Sequence, residues 1–442
     1  MKILFITPRF PYPPNRGDRL RYYNFAKVLS GSHELHLATL IQSKDEINNT
    51  DKISGMFKRI ETVLLRPLES YRNMLLDLFS GLPLQVSYFR SQKMRYRIGK
   101  MMNEEKYDAV YVFHLRMAPY AINLKGPYKI LDLTDAVSLF LKRMASHKRA
   151  LFRQILLRES KNTRRYEDTI MKLFDECWII SDADKRALGA GGGGSNVFVV
   201  PNGIDTDHFR PAPLSRDEDK NIIFVGYMGD ESVSTVKYFL KEIFPIVRAE
   251  VPQAKFHIVG ADPPNEIIKL QNDQNIVVTG YVKDLRPFYN NANVMAAPMR
   301  FVAGVQNKIL EAMAMEVPVV TSSYGNEGID AVNGEQIFVE DDPQKTAEKI
   351  IEILMNKQLS EKMGRNARAF VREKYSWNSV VERMNKIANA AGENTCQGKV
   401  KMSGLAPTLG LPRRGSGRVG NEELDLHRYR VKMQGKAVLE IY

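Results

Sequence analysis

Short apolar runs alternate with stretches of helical period along most of this chain. KILFIT (2–7), ELHLATLI (34–41), RIETVLL (59–65), YDAVYVFH (107–114), ILDLTD (130–135) and DECWIIS (175–181) each read as a buried strand. NVFVV, NIIFVG, AKFHIVGA, NIVVTG, NANVMAAP and VPVVTSS continue the series. Between them lie amphipathic segments, such as the one carrying Leu20, Tyr23, Ala26 and Leu29. A long helix is predicted over 234–252 (STVKYFLKEIFPIVRAEVP), and closing helices over 337–384. Strand and helix in alternation predict an α/β protein built on doubly wound parallel sheets. In such sheets ligands bind beyond the carboxyl ends of the strands. GAGGGGSN (189–196) lacks the Lys-Ser/Thr of a phosphate loop and opens no helix, so it reads as a flexible turn. From about Ala391 the period stops, and Gly, Pro and basic residues dominate; this tail reads as disordered.

The stretch 298–323, PMRFVAGVQNKILEAMAMEVPVVTSS, holds the most chemistry. A strand ends at Pro298, Gly304 leads a loop, a helix carries Lys308 and Glu311, and Pro318 stops it before the next strand. A glycine-led helix start offers unpaired N–H groups and the positive end of the helix dipole, a site suited to phosphate. Lys308 adds a cation there. Glu311, one turn deeper, can accept from a vicinal diol such as a ribose. The pattern predicts a nucleoside-diphosphate pocket. At the other end of the chain, the loop after the first strand closes on Gly17-Asp18. Gly17 permits close backbone approach, Asp18 can cap the helix, and Arg19 and Arg21 can meet phosphate or sit solvated.

KILEAMAMEVPVV resembles the C-terminal signature of the retaining glycosyltransferases of family 4, which have the GT-B fold: two Rossmann-like doubly wound domains facing a cleft. GVQNKILEAMAM is similar to a subgroup of sugar transferases from exopolysaccharide and exosortase-associated clusters. PNGIDTDHF (201–209) and the Tyr375-Ser376-Trp377 break match the same family. The resemblance implies an N-terminal acceptor-side domain over 1–198, a donor domain over 199–374, a helix crossing back over 375–390, and the tail 391–442 without a counterpart. It implies catalytic roles for Glu311 and for His114, the latter near the reacting carbon of the donor sugar, although a satisfied histidine at a strand end is an equal reading. Donor contacts fall on Gly17, Asp18, Asn202, Gly203, Gly226, Tyr281, Val282, Arg300, Gly304, Val305, Gln306 and Lys308. Arg21 and Asp132 are acceptor-side candidates; Asp132 and Asp135 can equally cap the next helix, and for Asp135 capping is the stronger reading.

Two departures from the family pattern stand out. The first of its two acids falls on Ala303, and the arginine usual after Gly226 is replaced by Tyr227 and Met228, with Lys237 offset. Arg300, Lys308 and the amides of 304–306 would then carry the phosphate charge. The implied reaction is transfer of a sugar from a nucleoside-diphosphate sugar to a glycan or lipid-linked acceptor with retention, in exopolysaccharide synthesis. No cofactor and no metal are expected. The alternative is a catalytically impaired nucleotide-sugar-binding or scaffold protein.

Composition changes this picture little. The 442 residues carry a formal net charge of +13, which favours anionic partners. No RNP, zinc or helix-turn-helix signature accompanies it, so nucleic acid is not expected. The arginine-dense region 141–174, with Leu151, Phe152, Ile155 and Leu156 on one side, fits an anionic membrane surface or a solvated helix face. The N-terminus is unlike a signal peptide and no apolar run reaches about twenty residues, so the expected location is cytoplasmic, with the inner face of the membrane within reach. Cys177, inside an apolar run, reads as a buried thiol.

Overall fold

A computed structural model of the chain describes residues 1–14, 17–189, 196–212, 220–302 and 304–382. The expectations for most of the glycine-rich turn, the Ala303 position, the end of the crossing helix and the tail therefore lie outside the described residues, as does the side chain of Asp18.

Two parallel sheets organise the rest. The first contains β1 (Lys2–Thr7), β2 (Glu34–Ile41), β3 (Arg59–Leu64), β4 (Ala109–Phe113), β5 (Tyr128–Thr134), β6 (Glu176–Ile179) and β7 (Val197–Val199), in the order β3-β2-β1-β4-β5-β6-β7. The second contains β8 (Asn221–Val225), β9 (Lys255–Val259), β10 (Ile276–Gly280), β11 (Val294–Ala297), β12 (Val319–Thr321) and β13 (Phe338–Val339), in the order β10-β9-β8-β11-β12-β13. Every pairing is parallel. The apolar runs explain this: β4 and β8 are buried along their whole length, which requires helices on both faces of a sheet. The strand order reverses between β1 and β4 and again between β8 and β11. The loops leaving those strands are where a doubly wound sheet opens a crevice.

The helix expected over 234–252 differs in detail. It starts at Asp230 and is interrupted: Asp230–Tyr238 is α-helical, Phe239–Ile243 is a wider π turn, and Phe244–Glu250 resumes. Pro245 accounts for the break, since its ring and missing N–H do not fit an uninterrupted ladder.

The two sheets are tied at the Pro201-Asn202-Gly203 turn. The Trp377 ring covers Gly203 so closely that a Cβ there would lie 2.3 Å from the indole Cδ2. Trp377 also packs against Phe25, with ring centroids 5.8 Å apart, and Val380 is buried in the core of the first sheet. The Ile204 N–H donates to the Tyr375 carbonyl at 2.7 Å, so outgoing and returning segments run side by side. Gly203→Ala should force the indole aside and cost about 1–3 kcal/mol, the scale of an overpacked core; calorimetry should show a lower Tm, and an unchanged one would mean that the return segment yields freely.

Candidate active site

The helix Asn307–Ala314 buries Ile309, Leu310, Ala312, Met313 and Ala314 and stops at Glu316, where φ is 56°, just before Pro318. Its N-cap, Gln306, has extended backbone and gives no side-chain cap; its carbonyl accepts from the Ile309 and Leu310 amides, and the Asn307 and Lys308 amides start the helix outside that ladder. Gly304 has φ of 71°, a turn that L side chains rarely adopt.

Lys308 points from this helix to the turn after β8. Its Nζ would stand 3.4 Å from a Cβ on Gly226, lies 5.2 Å over the Phe224 ring and pairs with Glu231 Oε1 at 3.2 Å. Glu231 belongs to the first turn of the helix Asp230–Tyr238, which opens just past Gly229. Two helix N-termini and one lysine thus converge on the crevice between β8 and β11. Glu311, one turn on, accepts a hydrogen bond from the buried Tyr289 hydroxyl at 3.1 Å through Oε2. Burial pushes the Glu311 carboxyl up to about 7, against the pull of Tyr289 and Lys308.

The first domain supplies the opposite wall. Arg21, fully buried, donates through Nε to Asp132 Oδ2 at 2.7 Å and through Nη1 to Asn202 Oδ1 at 2.9 Å. Asn202 Nδ2 in turn donates to Asn307 Oδ1 at 3.2 Å, at the first residue of the helix Asn307–Ala314. Asp132 also accepts from the Tyr111 hydroxyl and from the Thr134 amide. His114 follows β4 with φ of 72°, and its Nδ1 has no hydrogen-bond partner among the described residues. Burial, with Arg116 and Arg9 nearby, holds its imidazole well below the usual range, so it is neutral.

Asp135, just past β5, closes against the second domain. A Cβ on Gly304 would fall 1.8 Å from Asp135 Oδ1. Burial and the neighbouring Asp184 carboxylate push Asp135 up to about 7. Beside it, the helices Val137–Ser146 and Ala150–Ile170 form a hairpin against the second domain. Phe301 enters a cluster with Leu141, Met144, Ala145 and Leu156, Arg143 donates to the Val302 carbonyl at 2.7 Å, and Arg143 pairs with Glu327 at 2.6 Å.

The structure brings Gly226, Gly304, Val305, Gln306, Lys308 and Glu311 to one crevice, with Asn202 and Gly203 at its hinge. Gly17 opens the helix Gly17–Leu29, so Asp18 lies inside that helix rather than before it. Tyr281 is exposed and Val282 half-buried, on the loop after β10. Three expectations are corrected. Arg300 is exposed and stacks 4.9 Å from the Tyr238 ring, two helical turns from Glu231, so it is not beside Lys308. Arg21 and Asp132 are buried and spent on each other, so they position the hinge instead of meeting an acceptor. Asp135 does not cap its helix; the Ala136 amide donates to Asp184 instead. Sequence reading missed Glu231 and Tyr289. The Asp230-Glu231 pair at a helix start was the available signal for the first; nothing local pointed to the second.

Residues 219–356 match the family described as glycosyl transferases group 1. An uncharacterised 44.6 kDa protein from the cps region of Klebsiella pneumoniae is 25% identical over 397 residues, which span 85% of this chain and 96% of that protein. The capsular polysaccharide biosynthesis glycosyltransferase CapM of Staphylococcus aureus is 30% identical over 205 residues, 43% of this chain and 54% of CapM. Among solved structures, Anabaena HepE in complex with UDP and glucose superposes with a TM-score of 0.62 at 15% identity, over 88% of this chain and 99% of HepE. TarM superposes with a TM-score of 0.64 at 13% identity, over 88% and 98%. The chain resembles the group 1 glycosyltransferases, and its fold is GT-B. The crevice described above lies between the two GT-B domains, and the matched segment contains Gly226, Lys308 and Glu311.

The Glu311 carboxyl gives a pH signature. Its folded value of about 7 exceeds the ordinary 4.5, so across that window the folded chain holds a proton that the unfolded chain has released. Stability therefore falls as pH rises from about 4.5 to about 7. Glu311→Gln removes this dependence. Thermal melts of the two proteins should diverge through the window, the variant gaining on the wild type; parallel curves would mean an ordinary carboxyl.

Proposed function

We propose that the protein transfers a sugar from a nucleoside-diphosphate sugar to a hydroxyl of a growing glycan or lipid-linked acceptor, in the assembly of a surface polysaccharide. One observation carries the reading: Lys308, two helix N-termini and Glu311 converge on the crevice at the β8/β11 switch point, with Asp135 and His114 on the facing domain. That HepE was solved with UDP and glucose, and that CapM is named for capsular polysaccharide, supports the substrate class.

The diphosphate lies at the amides of 304–306, with Lys308 balancing its charge. Glu311 receives the ribose hydroxyls through the oxygen that Tyr289 does not hold. The bond between the anomeric carbon and the β-phosphate oxygen breaks, and one to the acceptor oxygen forms. The acceptor proton passes to the leaving phosphate, and the anomeric configuration is retained. Preorganised dipoles and a fixed cation stabilise the departing charge without a metal. Lys308 is already held by Glu231, so little side-chain order is lost on binding. Neutral His114 and the protonated fraction of Asp135 face the sugar as hydrogen-bond donors from the acceptor side. Contact between the domains excludes water that would otherwise hydrolyse the donor.

A panel of UDP- and GDP-sugars, read by nucleotide release and by the anomeric configuration of the product, tests the reading. Turnover with one donor and retained configuration are expected. Donor binding without turnover across several acceptors would favour a nucleotide-sugar-binding protein that has lost catalysis, the reading that Tyr227 and Met228 after Gly226 motivate. Glu311→Ala should weaken donor binding by about 1.5–3 kcal/mol, the scale of a charge-assisted hydrogen bond. Calorimetric titration measures this directly, and unchanged affinity in the folded variant would remove Glu311 from the ribose site.

A further inference from the structure

The helix Pro67–Leu76 is inside out. Its buried residues are Ser70 and Asn73, whereas Leu68 is 86% exposed and Leu75 and Leu76 are exposed by 72% and 71%. Asn73 Nδ2 donates to the Arg90 carbonyl at 3.0 Å, so the helix is anchored through its polar side. Phe79, in the turn that follows, is 81% exposed.

A second element continues this surface. Leu151 and Ile155, four residues apart on one face of the helix Ala150–Ile170, are both exposed. Arg158, three residues further along, donates to the Leu78 carbonyl at 3.1 Å and lies 5.4 Å from the Phe79 ring centroid. The Leu84 amide donates to Glu159 at 2.6 Å. The two apolar stripes therefore meet edge to edge. Water is a poor partner for so many clustered large side chains, and soluble proteins seldom leave such a patch uncovered.

The charge around the patch selects its partner. Arg66, Arg72, Arg149 and Arg153 are exposed on the same two elements. The acids are fewer: Asp77 pairs with Arg90 at 3.0 Å and Glu159 is buried, which leaves Glu69. Apolar side chains set among arginines match the anionic headgroup region of a bilayer, where the chains enter the acyl boundary and the guanidinium groups meet phosphate. The helix Pro67–Leu76 follows the carboxyl end of β3, the same edge of the sheet that faces the crevice, and Tyr71 packs on Tyr88 with ring centroids 6.1 Å apart.

We propose that Pro67–Phe79 and the first turns of Ala150–Ile170 form a docking surface for an anionic lipid bilayer, which seats the acceptor side of the cleft at the membrane. This goes beyond the transfer reading and does not require it, since lipid binding is measured without a donor. The test is flotation of the full chain with vesicles of phosphatidylglycerol and phosphatidylcholine in equal parts, and with phosphatidylcholine alone. The wild type should float with the anionic vesicles and less so at high salt. The triple variant Leu75→Glu/Leu76→Glu/Phe79→Glu should lose about a hundredfold or more in partitioning, because three apolar side chains no longer enter the bilayer. All three side chains are exposed, so its melting curve should match the wild type. The basic segment beyond residue 382 is present in both proteins, so its contribution cancels. Arg149→Glu/Arg153→Glu should weaken binding to anionic vesicles only. A wild type that stays unbound, or a triple variant that floats undiminished, overturns the proposal. So does a wild-type dimer in ultracentrifugation that the triple variant disperses while neither binds vesicles, since a second copy would then cover the patch.

Discussion

The buried Arg21–Asp132 pair is the contact on which the rest of the arrangement depends. A guanidinium and a carboxylate taken out of water are costly unless each meets the other and the remaining hydrogen bonds are filled. Here Asp132 is filled by Arg21, Tyr111 and the Thr134 amide, and Arg21 spends a second donor on Asn202. That second bond carries the network out of the first sheet, because Asn202 bonds Asn307 at the head of the helix Asn307–Ala314. One side chain on the first helix of the chain thereby links the Pro201-Asn202-Gly203 turn to the helix Asn307–Ala314 in the other domain. Removing either charge would strand its partner in a dry interior, a loss of about 3–5 kcal/mol.

The surroundings of Lys308 follow from the same economy of parts. The family's common pattern places cations on the turn after the donor domain's first strand; in this chain that turn carries Tyr227 and Met228. Lys308 reaches across to the vacated turn from the opposite helix, and Glu231 holds it there. Two helix N-termini and the Lys308–Glu231 pair thus meet at that turn. Dipoles of this kind are fixed by the fold and need no reorganisation when a charge develops.

Much of the fold was legible in the sequence because parallel strands buried on both faces must be nearly continuous apolar runs, and KILFIT, AVYVF and NIIFV are such runs. The order of strand, loop and helix then places the loops after β1, β4, β8 and β11 at one edge. Lys308 and Glu311 were legible because they lie on one short helix whose start and stop are both marked in the chain. What escaped were the contacts between distant segments. Arg21 meets Asp132 across 111 residues and Tyr289 meets Glu311 across 22, and no local pattern announces either. Asp135 was misread as a cap because acid-then-helix is a common start signal; Asp184, from a later helix, takes that amide. Pro245 was visible, yet the wider turn before it depends on how Phe239 and Phe244 pack on Phe256.

The helical hairpin beside Asp135 gives the cleft a mechanical property. Phe301 and the Val302 carbonyl belong to the segment that leads into Gly304, and both are gripped by side chains of the first domain. The loop leading into Gly304 is therefore braced from the domain that it does not belong to. Its conformation is set by side chains of both domains at once, because Arg143 also pairs with Glu327 beyond it. Like a clasp, the loop is held by parts from two domains, so its shape belongs to their contact rather than to either domain alone.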